Sequence, residues 1–259
     1  MSLIGKSLTE IDLSDNALSR PIPTQLFQLV DLTELDLGDN DLTGDLPSGL
    51  AQLVALTSLE VNGNNLNGTI PDAFGDLTDL EELDISDNNV KGELPSALEK
   101  LVKLLTLDVS SNKIEGTIPT GLSETLEVLK LGLNSVTGTI PLELTKYLGL
   151  RELGVNENDI SGTVPIDVLT LPNLEWLNAA VNAITGSIPS EVGLASKLWY
   201  FNLRDNQITG TMPTHLGNAS HLEEILLWNN KVRSSGEIPA KRFLSFAHPR
   251  PYHIWFMFS

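Results

Sequence analysis

The sequence has no cysteine among its 259 residues. A disulfide framework, a thiolate metal site and a cysteine nucleophile are therefore excluded, while the redox compartment stays open. No apolar run approaches the roughly 20 residues that a membrane-crossing helix requires, so no membrane insertion is expected of this chain. Met1 to Thr9 carry one lysine and no apolar stretch, which is not the pattern of a secretory signal. Basic residues are scarce, 16 against 34 acidic, for a formal charge of −18. The excess is concentrated. Residues 231–259 hold five Lys or Arg and one Glu, leaving residues 1–230 with 11 basic and 33 acidic groups, a net of −22. Such a body repels phosphate backbones and anionic bilayers, which argues against nucleic acid and leaves a basic or neutral partner. Catalytic signatures are missing too. There is no Gly-rich phosphate loop, nucleophile elbow or zincin motif. His215, His221, His248 and His253 lack ligand-like spacing, so neither a metal nor another cofactor is expected. Carboxylates abound, but on an open face without a desolvating pocket they make poor general acids or bases, and no enzyme is expected.

What the sequence does have is a period. The pattern LxxLxLxxNxLxGxIP, seen in Leu32 to Pro47, recurs along most of the chain. Its asparagine falls at Asn16, Asn40, Asn64, Asn88, Asn112, Asn134, Asn158, Asn182, Asn206 and Asn230. Eight of the nine spacings are 24 residues and one is 22. A period in this range means stacked units that bury their apolar faces only against their neighbours.

Within each unit LxxLxL alternates apolar and polar residues, the pattern of a strand with one buried face. The asparagine that follows turns inward, where its amide must find backbone partners in its own and adjacent turns. Glycine at a fixed offset (Gly44, Gly68, Gly92, Gly116, Gly138, Gly162, Gly186, Gly210) marks a turn or a close backbone approach, and Arg20-Pro21 breaks that pattern in the first repeat. Segments such as Ser96 to Leu104 carry apolar residues three apart and read as a short helix or 3-10 turn. The 22-residue repeat loses its two residues there, between Pro119 and Leu126.

The LxGxIP halves, for instance LNGTIP (Leu66 to Pro71) and ITGSIP (Ile184 to Pro189), joined to LDLxxN halves, resemble the plant-type leucine-rich repeat. That repeat occurs in ectodomains of plant receptor-like kinases, in receptor-like proteins and in polygalacturonase-inhibiting proteins. The resemblance implies an α/β leucine-rich repeat solenoid of about ten repeats. It would be a right-handed superhelix with a parallel β-sheet on its concave face and short helical or 3-10 segments on its convex face. It also implies binding of proteins, peptides, steroids or glycans, and an extracellular or cell-surface location. Two departures stand out: the family's cysteine-paired caps are missing, and neither a kinase domain nor a membrane span is present.

The array is expected to span residues 1–239. Little precedes Leu8 to cap the first repeat, so either Met1 to Ser7 form a minimal lid or, as we expect, the natural protein continues upstream. From 240 to 259 the repeat is lost, and the apolar load of Tyr252 to Phe258 reads as a cap over the last repeat, with mis-spliced sequence or a docking segment as alternatives.

Stacking places equivalent outward residues about 4.8 Å apart, so the face can be read by columns. Repeats one to five present carboxylates, among them Glu10, Asp12, Glu34, Asp36, Glu60, Glu82, Asp84 and Asp108, and no basic group. Such a file should raise some carboxylate pKa values and suits a basic partner, although Asp near this position can equally be ordinary solvated surface. Departures from the chain's own pattern cluster in repeats six to ten: Lys130, Leu133, Arg151, Trp176, Val181, Trp199, Tyr200, Arg204 and Trp228. Aromatics with Arg dominate binding hot spots, and aromatic planes can stack on sugars. We therefore expect Lys130, Arg151, Trp176, Trp199, Tyr200, Arg204 and Trp228 to bind a protein, peptide or glycan ligand on the concave face. Packing at the strand edge is the alternative for Trp199. An intracellular scaffold holding a basic protein on the acidic half is the alternative function. The oligomeric state is not legible. Sequons at Asn67-Gly68-Thr69 and Asn218-Ala219-Ser220 are no more frequent than chance provides.

Overall fold

A computed structural model describes residues 7–233, so the expectations for residues 240–259 and for Met1 to Lys6 lie outside the described residues. The chain divides after Leu126 into two compact units. In the first, the strands Glu10–Asp12, Glu34–Asp36, Ser58–Glu60, Glu82–Asp84 and Thr106–Asp108 pair in parallel, each residue facing its equivalent one repeat on. In the second, Val128–Lys130, Glu152–Gly154, Trp176–Asn178, Tyr200–Asn202 and Glu224–Leu226 do the same. The central residue of each strand points inward, and Leu59, Leu83, Leu107, Leu129, Leu153, Leu177 and Phe201 are wholly buried. Each such side chain contributes roughly 1.5–3 kcal/mol relative to exposure. The first repeat is only half covered: Leu8, Leu13 and Leu18 are exposed, while Leu32, Leu37 and Leu42 at the same positions one repeat on are buried.

Eight of the segments after the Ile-Pro corner are single turns. Seven are 3-10, namely Thr24–Gln28, Ser48–Gln52, Asp72–Asp76, Ser96–Lys100, Leu142–Lys146, Ser190–Leu194 and Thr214–Asn218, and Ile166–Leu169 is a one-turn α-helix. Each follows a proline in extended conformation, whose fixed φ and missing N–H suit the position before a helical turn. The shortened repeat has no such turn. Hydroxyls replace it: Ser123 Oγ donates to Val102 O at 2.9 Å and Thr125 Oγ1 to Leu104 O at 3.1 Å.

The asparagines form a ladder. Asn64 Nδ2 donates to Val61 O and Asn62 O in its own turn and to Leu37 O one repeat back, while its Oδ1 accepts from Leu42 N at 2.9 Å. Asn88 repeats the pattern on Val61 and Leu66, and Asn206 repeats it in the second unit. At the first repeat, Asn16 is exposed and, among the described residues, bonds carbonyls of its own turn.

To aim that amide inward, the preceding residue is left-handed in every repeat. Asp15, Asp39, Asp87, Ser111, Leu133, Glu157, Val181, Asp205 and Asn229 have φ between 50 and 57°, and Gly63 has 60°. Asp, Asn and Gly tolerate this conformation, whereas bulky or branched side chains are strained in it. Leu133 and Val181 are the misfits. The expected glycine column adopts φ between 77 and 86°, and Arg20 takes its place in the first repeat at 91°. Leu133 is 45% exposed, so little burial is lost on replacing it. Leu133→Asn is expected to stabilise the fold by about 1 kcal/mol, read as a higher denaturant midpoint. An unchanged or lower midpoint would show that the left-handed turn carries no strain.

Candidate functional site

The outward columns of the second unit bring most of the expected residues together. Trp176 and Tyr200 face each other across adjacent strands, and their rings stack with centroids 5.3 Å apart and planes 11° from parallel. Gly154 makes room for this. A Cβ there would stand 3.1 Å from the Trp176 ring and 3.5 Å from the Lys130 stem, so both side chains flank the bare backbone. Asn202 Nδ2 donates to the Tyr200 hydroxyl at 3.0 Å. Burial is the main cause that pushes the phenol of Tyr200 above its ordinary pKa, so it stays protonated. Trp199 is 40% exposed, with its ring 5.6 Å from that of Tyr200 and tilted by 58°. It is a surface residue beside the stack, not a buried packing residue.

Arg204 and Trp228 form a second element. The guanidinium carbon lies 4.9 Å from the Trp228 ring centroid, in cation–π range. Asp205 holds the guanidinium at 2.7 Å and accepts a hydrogen bond from Asn229 at 2.6 Å. The remaining expected cations are paired. Lys130 lies 3.4 Å from Glu152. Arg151 lies between Glu127 at 3.8 Å and Glu175 at 3.1 Å. All three pairs are partly exposed and contribute little to stability.

Sequence reasoning missed Gly154, Asn202, Glu152, Glu175 and Asp205. Gly154 had a signal, since it is the one glycine in the outward column that runs through Asp84 and Asp108 in one unit and Asn178 in the other. The partners of the cations had none, because the columns place several carboxylates within reach of each.

The acidic columns of the first unit are not simply solvated surface. Asp12, Asp36, Asp84 and Asp108 each accept the backbone N–H two residues on, from Ser14, Gly38, Ser86 and Ser110, at 2.8–3.0 Å. Asn178 and Asn202 do the same toward Ala180 and Arg204. The Asp or Asn at this position therefore closes the turn behind the strand. Glu60 carries no such bond. Burial raises its pKa, reinforced by Asp36 and Glu82. Asp84 is also raised, first by burial, against the opposing hydrogen bonds from Ser86. Among the described residues no group of His, Asp and Glu has the arrangement of a metal site.

The strand, ladder and turn geometry defines a leucine-rich repeat protein. Family models described as leucine rich repeat match residues 54–114 and, separately, residues 7–29, 31–53 and 197–219. No curated protein sequence matches the chain significantly. Among solved structures, the ectodomain of the Arabidopsis receptor kinase HAESA in complex with an extended IDA peptide hormone is similar. It is 32% identical, with 90% of this chain and 39% of that one covered and a TM-score of 0.82. A TDR receptor is 30% identical over 87% of this chain and 39% of its own, with a TM-score of 0.84. A plant ice-binding protein is 25% identical over 88% of this chain and 84% of its own, with a TM-score of 0.66. The chain spans about two fifths of the receptor structures it matches. It belongs to the leucine-rich repeat proteins, and its repeats are of the plant type seen in receptor-kinase ectodomains.

For Asp84 the raised pKa fixes the sign of a pH effect. Ionisation is disfavoured by the fold, so stability is lost as pH rises through the folded-state pKa and regained as pH falls toward the ordinary value of 3.8. Asp84→Asn keeps an oxygen for Ser86 N–H and removes the charge, as Asn178 and Asn202 already do in their repeats. It is expected to raise the urea midpoint at pH 7, with the advantage shrinking as pH falls through the folded-state pKa and gone below the ordinary value of 3.8. A pH-independent loss of stability would show that the turn needs the charge.

Proposed function

We propose that the chain is a non-catalytic recognition module that binds a peptide or protein segment on the outward strand columns of repeats six to ten. The observation that supports this most is the Trp176–Tyr200 stack with Trp199 beside it, next to the Arg204–Trp228 pair. A glycan would need an open aromatic face. Trp176 has Tyr200 on one face and lies over Gly154, and Trp228 carries Arg204, so edges and one tilted ring are what a ligand meets. Edges beside Asn178, Glu152 and Glu224 suit apolar side chains on a polar backbone. The side chains are prearranged by stacking and hydrogen bonds, which limits the ordering entropy lost on association. The peptide-hormone complex of the similar HAESA ectodomain supports the same class of ligand. The acidic columns of the first unit are less suited to a partner, since four of their Asp side chains already close turns. The test is to pan a displayed peptide library on the protein and measure selected peptides against Trp176→Ala with Tyr200→Ala. We expect a loss of about 2 kcal/mol or more, as for hot-spot residues. Undiminished affinity, or no selected peptide, would overturn the reading.

A different face favours a second reading. Flanking the glycine column, Thr137, Ser161, Thr185 and Thr209 form one file and Thr139, Thr163, Ser187 and Thr211 another, all exposed and without a charge among them. Ser161, Thr185 and Thr209 are fixed by donating to Gly138 O, Gly162 O and Gly186 O at 2.9–3.0 Å. Hydroxyls and methyls held at a regular spacing of about 4.8 Å between strands can anchor ordered water. With the similarity to an ice-binding protein along most of both chains, this supports adsorption to ice. Thermal hysteresis that vanishes in Thr139→Lys with Thr163→Lys is the expected result, and ice growth identical to that in an inert protein solution would end this reading.

A further inference from the structure

The charge pattern on a third surface is anomalous. Lys91 and Lys113 stand directly opposite each other on the paired strands Lys91–Glu93 and Lys113–Glu115, both exposed. Like charges in register on adjacent strands destabilise the pair. Among the described residues Lys100, Lys103, Lys130, Arg151 and Arg204 form ion pairs; Lys91 and Lys113, like Lys197 with its amide partner Asn173, do not, and they differ in facing another lysine. Lys113 Nζ instead donates to Asn89 Oδ1 at 2.9 Å. The two ammonium groups line an open groove of about 530 Å³, together with Asn65, Asn67, Asn89, Thr69 and one carboxylate, that of Asp45, so the groove carries a net charge of about +1. The groove is polar through side chains, not backbone. Lys91 N–H is spent on Gly68 O and Lys113 N–H on Val90 O, at 2.9 and 2.7 Å.

We infer that this groove binds an acidic saccharide, with Lys91 and Lys113 taking its carboxylates and the amides of Asn65, Asn67 and Asn89 its hydroxyls. Amide side chains offer donors and an acceptor together, which matches a hydroxyl that also does both. A phosphate group is a poorer fit. It is bound best by backbone N–H nests, helix N-termini or bidentate Arg, none of which the groove presents. The strong negative charge of the body also repels polyanions in solution, so a ligand of few charges and many hydroxyls is favoured over a nucleic acid.

The test uses the whole chain produced in bacteria, titrated calorimetrically at low salt with a uronic acid disaccharide, a neutral glucose disaccharide and inorganic sulfate. The expected result is binding of the uronate alone, weakened at least tenfold in Lys91→Ala with Lys113→Ala, and weakened again by added salt. Both lysines are exposed, and removing a like-charge pair should leave the melting temperature unchanged or higher, which separates loss of binding from loss of fold. No uronate binding, uronate binding that survives the double substitution, or displacement of the uronate by equimolar sulfate would each overturn the inference.

Discussion

The structure depends on a side-chain amide that does the work of backbone. From Asn40 to Asn112 in one unit and from Asn158 to Asn230 in the other, each ladder asparagine closes its own turn with Nδ2 and, through both ends of the amide, joins that turn to the previous repeat, as Asn64 does on Leu37 O and Leu42 N. A short repeat has little core of its own, so the stack holds only if neighbouring units are fixed in register. The amide supplies that register while satisfying buried polar groups that would otherwise be costly. Its geometry has a consequence one residue upstream, where the backbone is forced left-handed in all ten repeats. Leu133 and Val181 accept the strain because the ladder overrules local preference.

With the frame fixed, the proposed function rests on departures from it. In the first unit the outward Asp side chains turn back to close their own turns, which ties that column to the fold. In the second unit the same column holds Lys130, Gly154, Asn178, Asn202 and Leu226, and Asn178 and Asn202 preserve the turn-closing bond without charge. Glycine at 154 lets the Trp176 ring settle against the sheet and stack on Tyr200. Changes of two outward residues per repeat, Trp176 with Asn178 and Tyr200 with Asn202 where the first unit has Glu34 with Asp36 and Glu82 with Asp84, thus replace acidic side chains by aromatic and amide ones on the same backbone.

Much of this was legible in the sequence because two periods are superimposed on it. The 24-residue spacing of the asparagines located every repeat, and the period of two within LxxLxL assigned each residue to core or face, so that Trp176 and Tyr200 could be placed side by side. Other features were not legible. The turn-closing role of Asp36 or Asp84 requires the side chain to fold back on its own strand, which a column reading that treats every outward residue as facing solvent does not represent. The pairing of Arg151 with Glu127 and Glu175 is a choice among several carboxylates at equal sequence distance. The left-handed position before each asparagine was not read from the sequence, because Ser111, Leu133, Glu157 and Val181 stand among its Asp, Asn and Gly residues.

The central claim is that a rigid, asparagine-laddered frame presents the aromatic columns of repeats six to ten as the recognition surface. The chain has four tryptophans, and their indole N–H resonances are separable reporters. Titration of a library-selected peptide into isotope-labelled protein should shift the indoles of Trp176, Trp199 and Trp228 together. A bound peptide that leaves those three resonances in place would contradict the account.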